Sequence, residues 1–449
     1  MNSVLIGGTH SGCGKTTVVC AVLQALVNRG LNTASFKCGP DYIDTMFHSR
    51  IIGASSYNLD GYFCGEETLR SLFLSHGESA DISVIEGVMG FYDGGSGSAF
   101  ALSRTLDVPA VVVIDCKGAG ESIGAVIKGF LTYKTPNTIR GFIFNRLSEK
   151  LVEQTRSICA ELKTEFLGYL PPLRECALES RHLGLVTDSE IPDLKRKLSL
   201  LAEQAERTVD INRLLAISGE CRTRAGSAPE LPNLHFNKPP IIAVARDSAF
   251  CFLYRDNLEL LERLGCELRF FSPIEDERLP EGTSGLILCG GYPELHAREL
   301  SENRSMLAEI RAAVEGGMPA IAECGGFLYL HRSLETESGE RFPLVGAIEA
   351  DAYRTERLVR FGYAELTAKR DNLLCKAGES FRAHEFHYWD STDCGDCFTA
   401  RKPNGAEWDC VHATDSLYAG FPHLYFYANP KIAANFVKKC AEYNGENNG

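Results

Sequence analysis

The residues with the clearest capacity for chemistry lie in the segment GTHSGCGKTT, at positions 8–17. An apolar run precedes this segment, and an apolar pattern with helical spacing follows it. This order of strand, glycine-rich loop and helix is typical of a P-loop, whose backbone N–H groups bind phosphate oxygens. Lys15 can reach the terminal phosphates of a nucleotide, and the Thr16 hydroxyl can ligate Mg²⁺. The spacing departs from the common pattern, because the first glycine is Gly8 and position 9 is Thr9.

Charged side chains follow two further predicted strands in the same half. The segment KCGPDYID runs from Lys37 and contains Asp41 and Asp44, and the run VIEG places Glu86 at a strand end. Ligands bind where parallel strands end, so these groups are expected near the P-loop. Glu86 is a candidate for the acidic residue that binds Mg²⁺ in phosphoryl transfer. Taken alone, each carboxylate could equally cap a helix or form a turn.

The second half contains a candidate nucleophile in the segment AECGGFLYL, where Cys324 separates a predicted strand from a predicted helix. Small residues permit a sharp turn there, as in the nucleophile elbow of hydrolases. A thiol at the beginning of a helix is a competent nucleophile. The backbone N–H groups of Gly291 and Gly325 could form an oxyanion hole.

A nucleophilic thiol requires a base, and the residues alone leave several candidates open. The histidines that follow Cys324 are His331, His384, His387, His412 and His423. The roles of His384 and His387 also remain open.

The elements that must position these residues follow an alternating pattern of strands and helices, which predicts an α/β fold with parallel sheets. A proline-rich joint with four prolines between Pro229 and Pro240 interrupts the pattern. We therefore predict a domain over residues 1–217, a linker over 218–240 and a second domain over 241–449. The predicted strands are 4–7, 33–37, 82–86, 110–115 and 141–145 in the first domain and 241–245, 267–271, 285–289 and 320–323 in the second. The predicted helical stretches include 191–217, 254–264 and 301–315.

Composition excludes several classes of protein. A net charge of −13 without a basic run argues against a nucleic-acid partner. No apolar run approaches the length of a membrane span, and no targeting segment is visible, so we expect no membrane association. The 17 cysteines are scattered, which indicates reduced thiols in the cytoplasm. The Cys394–Cys397 pair has no second ligand pair, so a zinc site there is not favoured.

Several motifs occur together and in order along nearly the whole chain: the P-loop, KCGPDYID, IEGVMGFYDG, SRHLGL, AECGGFLYL and FPHLYF. This set resembles the cobyrinic acid a,c-diamide synthase family, which amidates a corrin ring. The family joins a dethiobiotin-synthetase-like ATP domain to a flavodoxin-like class I glutamine amidotransferase domain. The extra residue in the P-loop is shared with dethiobiotin synthetase.

The resemblance implies a role for individual residues. Cys324 would attack glutamine with His423 as its base, and no Cys-His-Glu triad is implied, because Tyr425 stands where class I enzymes often have glutamate. Asp41 or Asp44 would join Thr16 and Glu86 at Mg²⁺. Contacts to the substrate would come from Asp41, Tyr42, Arg181 and His182. The implied ATP-binding residues are Gly8, Thr9, Gly12, Gly14, Lys15, Thr16, Thr17, Lys37 and Asn145.

The resemblance further implies that ATP converts a tetrapyrrole carboxylate into an acyl phosphate, which ammonia released from glutamine attacks after internal passage. Amidation of the a and c side chains would consume two ATP and two glutamine. Partners would be cobyrinic acid, glutamine and ATP, and a homodimer is allowed. The alternatives are hydrogenobyrinic acid or a nickel-sirohydrochlorin as substrate, a P-loop ATPase switch, and a corrinoid-binding protein with an inactive glutaminase domain.

Overall fold

Strands that are almost entirely buried form the centre of the first half of the chain. The computed structural model describes residues 1–173, 176, 191–443 and 445, which divide into the units Met1–Ala228 and Pro229–Gly449. Strands of the first unit are β1 (Ser3–Gly8), β2 (Thr33–Cys38), β3 (Ser55–Leu59), β4 (Ile82–Glu86), β5 (Ala110–Asp115), β6 (Ile139–Asn145) and β7 (Glu165–Leu170). They pair in parallel in the order β3-β2-β4-β1-β5-β6-β7. The predicted parallel sheet is confirmed.

Helices cover this sheet. They are α1 (Lys15–Asn28), α2 (Ile43–Phe47), α3 (Glu66–Gly77), α4 (Ala99–Thr105), α5 (Ile123–Thr132), α6 (Val152–Glu161), α7 (Ile191–Thr208) and α8 (Ile211–Ser218). Apolar side chains of α1, such as Leu23 and Leu26, share a core with Leu201 of α7 and Val84 of β4. Burying this apolar surface holds α1, and therefore the loop before it, against the sheet.

The helical stretch predicted over 191–217 is divided into α7 and α8. Asp210 begins α8, because its Oδ1 accepts a hydrogen bond from the Arg213 backbone N at 2.8 Å. Side-chain caps of this kind satisfy N–H groups that the first turn of a helix leaves unpaired.

The second unit contains a mostly parallel main sheet, a second and mostly antiparallel sheet, and a separate pair of short antiparallel strands. Its strands are β8 (Ile241–Ala245), β9 (Phe250–Phe252), β10 (Glu267–Phe271), β11 (Thr283–Leu288), β12 (Gly290–Gly291), β13 (Ala320–Glu323), β14 (His331–Glu335), β15 (Arg341–Pro343), β16 (Ile348–Ala368), β17 (Ser380–Ser391), β18 (Phe398–Arg401), β19 (Glu407–Cys410), β20 (His412–Ala413), β21 (Leu417–Gly420) and β22 (His423–Leu424). Its helices are α9 (Arg255–Arg263), α10 (Ala297–Glu302), α11 (Arg304–Glu315), α12 (Gly325–Tyr329) and α13 (Pro430–Tyr443).

The main sheet of this unit has the order β10-β8-β11-β13-β21-β20, with β20 antiparallel. The second sheet has the path β15-β14-β16-β17-β22, with β18 pairing β16 and β19, and β9 and β12 form the separate antiparallel pair. The helix predicted over 301–315 begins at Arg304, because Asn303 Oδ1 accepts a hydrogen bond from the Met306 backbone N at 3.3 Å. Among the described residues, no helix combines the length and the apolar character that crossing a bilayer requires.

Glycine at position 168 in β7 is required by the backbone, and its substitution should destabilise the first unit. A Cβ there would lie 2.2 Å from the Thr208 carbonyl oxygen, and φ is +121°. We expect Gly168→Ala to lower the free energy of unfolding by about 2–4 kcal/mol through strain and overpacking. The matched control is Gly129→Ala in α5, where a Cβ would meet no described atom within 4 Å apart from its chain neighbours and the backbone of its own helix. That control should be neutral or stabilising by about 0.5–1 kcal/mol, and urea unfolding followed by circular dichroism compares the two variants.

Candidate active sites

The glycine-rich loop of the first unit is held in place by a side chain from a neighbouring strand. Gly14 has φ +86° and lies directly before α1, so the loop enters the helix through a conformation that favours glycine. Asn145, at the end of β6, donates from Nδ2 to the Cys13 carbonyl oxygen at 3.0 Å. A Cβ on Gly14 would lie 1.9 Å from that Nδ2 atom. Asn145 therefore supports the loop through its backbone.

Lys15 and Thr16 direct their side chains toward the segment at the end of β4. The Lys15 ammonium donates to the Met89 carbonyl oxygen at 3.4 Å, and the Thr16 hydroxyl donates to Glu86 Oε1 at 2.7 Å. Thr17 follows on the first turn of α1. The cation and the hydroxyl that a P-loop requires are therefore close to the predicted acidic ligand.

The remaining loop residues of the predicted nucleotide site are Gly8, Thr9 and Gly12. A Cβ on Gly8 would lie 2.5 Å from Cys13 Sγ, so the close packing of the loop requires glycine there. The Thr9 hydroxyl lies 3.0 Å from His10 Nδ1, and Gly12 has φ +80°.

A buried lysine is surrounded by carboxylates at the ends of β2 and β4. The Lys37 ammonium contacts Asp44 and lies 3.0 Å from Glu86 Oε1 and 3.8 Å from Asp41 Oδ2. Burial alone lowers the pKa of Lys37, but Glu86 and Asp44 outweigh it and raise that pKa well above its ordinary value. Burial raises the pKa of Glu86. Lys37 is therefore held as a cation that stabilises the ionised carboxylates.

His48 also belongs to this cluster, although the sequence analysis did not identify it. Its Nδ1 lies 2.8 Å from the Ser35 hydroxyl, and its Nε2 lies 3.5 Å from Glu86 Oε2. Burial lowers the pKa of His48 to about 4, so the ring is neutral at physiological pH. Little in the sequence indicated this role, because His48 lies four residues after Asp44 and belongs to no recognisable motif.

The oxygen atoms of this cluster suit a divalent cation. Thr16, Asp41, Asp44 and Glu86 supply a hydroxyl and carboxylates, which are the hard ligands that Mg²⁺ prefers. Three carboxylates surround the single Lys37 ammonium, so the immediate cluster keeps an excess of negative charge. The donor set therefore fits the predicted metal.

The predicted substrate contacts are only partly described. Asp41 has a partly exposed side chain whose Oδ1 accepts from the Asp44 backbone N at 3.0 Å, and the neighbouring Tyr42 is buried. Arg181 and His182 lie outside the described residues.

In the second unit, Cys324 occupies a strained turn between β13 and α12. Its backbone has φ 48° and ψ −102°, a conformation that a residue with a side chain rarely adopts. The turn is fixed by a hydrogen bond from the Cys324 backbone N to the Gly420 carbonyl oxygen at 2.8 Å. A Cβ on Gly326 would lie 2.0 Å from the Leu288 carbonyl oxygen, so α12 packs directly against the backbone of β11. This is the geometry of a nucleophile elbow.

The glycines predicted to bind an oxyanion lie side by side. A Cβ on Gly325 would be 2.9 Å from the Gly291 backbone N. A Cβ on Gly290 would be 2.5 Å from His423 Cε1. Three features therefore lie close together in this unit: the Gly290–Gly291 segment, the turn at Cys324 and Gly325, and the His423 ring.

His423 is the histidine that interacts with the thiol. Its ring lies beside the glycine segment that adjoins the Cys324 turn, and the Cys324 side chain acts on the pKa of His423. Burial alone lowers the pKa of His423, but the neighbouring Cys324 and Glu323 side chains outweigh it and raise that pKa to about 10. His384 is the cross-strand partner of His423, and burial lowers its pKa to about 3.

The other three histidines are engaged elsewhere. His331 lies 2.8 Å from the Phe327 carbonyl oxygen and 2.7 Å from the Ser391 hydroxyl. His387 Nε2 lies 3.2 Å from Glu385 Oε2, and His412 Nε2 lies 3.1 Å from the Asp393 carbonyl oxygen.

Comparison with known proteins matches both units to families. Residues 4–185 match the CobQ/CobB/MinD/ParA nucleotide binding domain, and residues 241–431 match the CobB/CobQ-like glutamine amidotransferase domain. A cobyrinate a,c-diamide synthase of Caldanaerobacter subterraneus is 38% identical over 98% of this chain and 98% of its own length. Proteins of the same name from Listeria innocua and Salmonella typhimurium are 39% and 37% identical over 96% and 97% of this chain, covering 98% and 97% of their own lengths.

The contact between Cys324 and His423 predicts how the thiol reacts. We expect His423→Ala to slow alkylation of Cys324 by iodoacetamide at neutral pH by about tenfold, because an imidazolium stabilises the reactive thiolate. Peptide mass spectrometry separates this thiol from the other cysteines. Partly exposed Cys394 provides an internal standard in the same unit, and its rate should not change. Equal Cys324 rates in the two proteins would contradict the assignment.

Proposed function

The chain belongs to the cobyrinate a,c-diamide synthase family, and from this premise we propose that it amidates the a and c side-chain carboxylates of cobyrinic acid with ATP and glutamine. The observation that carries the proposal is the presence on one chain of a P-loop beside a carboxylate cluster and of a cysteine elbow beside a histidine. The first site suits activation of a carboxylate, and the second suits release of ammonia.

In the first unit, the proposed reaction transfers the terminal phosphoryl group of ATP to a carboxylate oxygen of the tetrapyrrole. ADP leaves, and the acyl phosphate that forms has a better leaving group than the carboxylate had. The P-loop N–H groups and Lys15 would stabilise charge on the transferring phosphoryl group. We propose that Thr16 and Glu86, with Asp41 or Asp44, hold Mg²⁺, which when bound neutralises phosphate charge.

In the second unit, His423 would take the proton of the Cys324 thiol. The thiolate sulfur then attacks the side-chain amide carbon of glutamine, and backbone N–H groups of Gly291 and Gly325 would donate to the resulting oxyanion. Return of the proton to nitrogen expels ammonia and leaves a glutamyl thioester, which water hydrolyses to glutamate. Ammonia attack on the acyl phosphate forms the amide and releases phosphate.

The proposed substrate contacts are Asp41, Tyr42, Arg181 and His182. An arginine suits this role, because its guanidinium binds a carboxylate through two parallel hydrogen bonds. The same chemistry could act on hydrogenobyrinic acid or a nickel-sirohydrochlorin, so the macrocycle must be identified by experiment.

Two variants should separate the half-reactions. Cys324→Ala should lose glutamine-dependent amidation but keep amidation with high ammonium at raised pH, since the synthetase site requires only ammonia. Lys15→Ala should reduce amidation with either nitrogen donor by about a thousandfold, because it removes charge that stabilises the transition state. Glutamine hydrolysis should persist in Lys15→Ala. Each variant is the control for the other, and a folded Cys324→Ala without ammonium-dependent activity would contradict the scheme.

Product analysis tests the substrate itself. Purified protein with ATP, Mg²⁺ and glutamine is incubated with cobyrinic acid, hydrogenobyrinic acid or nickel-sirohydrochlorin, and products are identified by mass spectrometry. We expect cobyrinic acid to gain two amide groups, at the a and c positions. Exclusive turnover of another macrocycle would replace the proposed substrate, and absence of any amidation would overturn the proposed function.

A further inference from the structure

A buried carboxylate belongs to the residue that directly precedes the proposed nucleophile in the sequence. Glu323 is the last residue of β13 and is 7% exposed. Its Oε1 accepts a hydrogen bond from the Leu424 backbone N at 3.2 Å, and its Oε2 lies 3.6 Å from His423 Nδ1. An ionised carboxylate is costly to bury unless charged or hydrogen-bonding partners compensate. Both contacts are made to β22, the strand that carries His423.

We propose that Glu323 is the positioning residue of the glutaminase site, holding the His423 ring so that its other nitrogen faces the Cys324 thiol. The inference rests on the proposed roles of Cys324 and His423. When the thiol proton moves to the imidazole, a thiolate and an imidazolium form, and the Glu323 carboxylate stabilises the cation. Aspartate performs this function in the serine protease triad.

The anchoring of Glu323 explains why a residue from a different strand can orient the ring. The Leu424 N–H holds one carboxylate oxygen, so the carboxylate is fixed relative to the backbone of the residue next to His423. The second oxygen is thereby directed to the Nδ1 side of the ring. A carboxylate that is already held by a backbone hydrogen bond loses little additional freedom when the imidazolium forms.

The neighbouring groups do not offer an equivalent charge. Tyr425, at the position where class I enzymes often carry glutamate, donates its hydroxyl to Asp256 Oδ2 at 2.9 Å. His384 faces His423 across the strand pair, and burial together with His423 lowers its pKa, so it is neutral at physiological pH. The ionisable groups that raise the pKa of His423 include Cys324 and Glu323, and His423 in turn lowers the pKa of His384.

The test compares the wild type with Glu323→Gln, which keeps an oxygen for the Leu424 N–H but removes the charge. We expect kcat for glutamine hydrolysis to fall by about tenfold to a thousandfold, with a smaller change in KM, since the charge acts on the proton transfer. The alkaline limb of the pH profile should move to lower pH, because loss of a nearby carboxylate makes the imidazolium easier to deprotonate. Ammonium-dependent amidation should be retained.

The matched control is Glu385→Gln. Glu385 is also buried in this unit and also faces a histidine, since its Oε2 lies 3.2 Å from His387 Nε2, but that ring is not the one that contacts Cys324. This control should leave the pH profile of glutamine hydrolysis unmoved. If Glu323→Gln fails to fold, Glu323→Asp replaces it and should retain the position of the alkaline limb with reduced kcat.

The outcomes separate this inference from the proposed function. Wild-type hydrolysis of glutamine with an unchanged kcat and pH profile in Glu323→Gln would overturn the positioning role alone. A reduced kcat with an unmoved pH profile would also overturn it, because that result indicates a purely structural effect. Absence of glutamine hydrolysis in the wild type would overturn the proposed function and this inference together.

Discussion

The parallel register between β2 and β4 is the constraint on which the first site depends. It makes Lys37 and Glu86 direct cross-strand partners, and the pairing of β1 with β4 aligns Ile6 with the same glutamate. Successive side chains on a strand point to opposite faces, so a shift of one residue would separate the lysine from the carboxylate. The buried apolar strands fix this register. Consequently the phosphate-binding loop, which follows β1, begins beside charges that the sheet has already brought together.

The first site depends on a buried cluster of opposite charges. In the first unit, a lysine lies among three carboxylates, an arrangement that compensates buried charge while keeping a negative excess for a cation. Removal of one partner from such a cluster would leave the others unpaired, which is strongly unfavourable in a buried site. Lys37 therefore has two effects at the carboxyl ends of β2 and β4. It stabilises the buried carboxylates, and it keeps them in place for binding a charged ligand.

The sequence predicted the elements that depend on local patterns. The strands that carry the P-loop, Glu86 and Cys324 were predicted because apolar runs end in glycine or charged residues. The sheet formed by β14 to β19 and β22 was not predicted. The pairing of β16 with β17 contains register shifts near Val359, and such shifts cannot be predicted from a periodic sequence pattern. His48 and Glu323 were missed for a related reason, since their importance comes from contacts between segments distant in sequence.

The geometry around Cys324 explains how a histidine from β22 comes to lie near a thiol that directly follows β13. The register of β13 against β21 pairs Glu323 with Gly420, and the chain then turns through Phe421 and Pro422 before it enters β22. This short connection returns His423 to the end of β13, the strand that directly precedes Cys324. In the proposed mechanism, proton transfer between Cys324 and His423 would create two opposite charges without changing the net charge of the buried site. A carboxylate on the far side of the imidazole would lower the energy of that charge-separated state. The thiol itself is buried, on a backbone conformation that a residue with a side chain rarely adopts. The end of β13 thus places the two groups of this proposal, the Glu323 carboxylate and the Cys324 thiol, on consecutive residues.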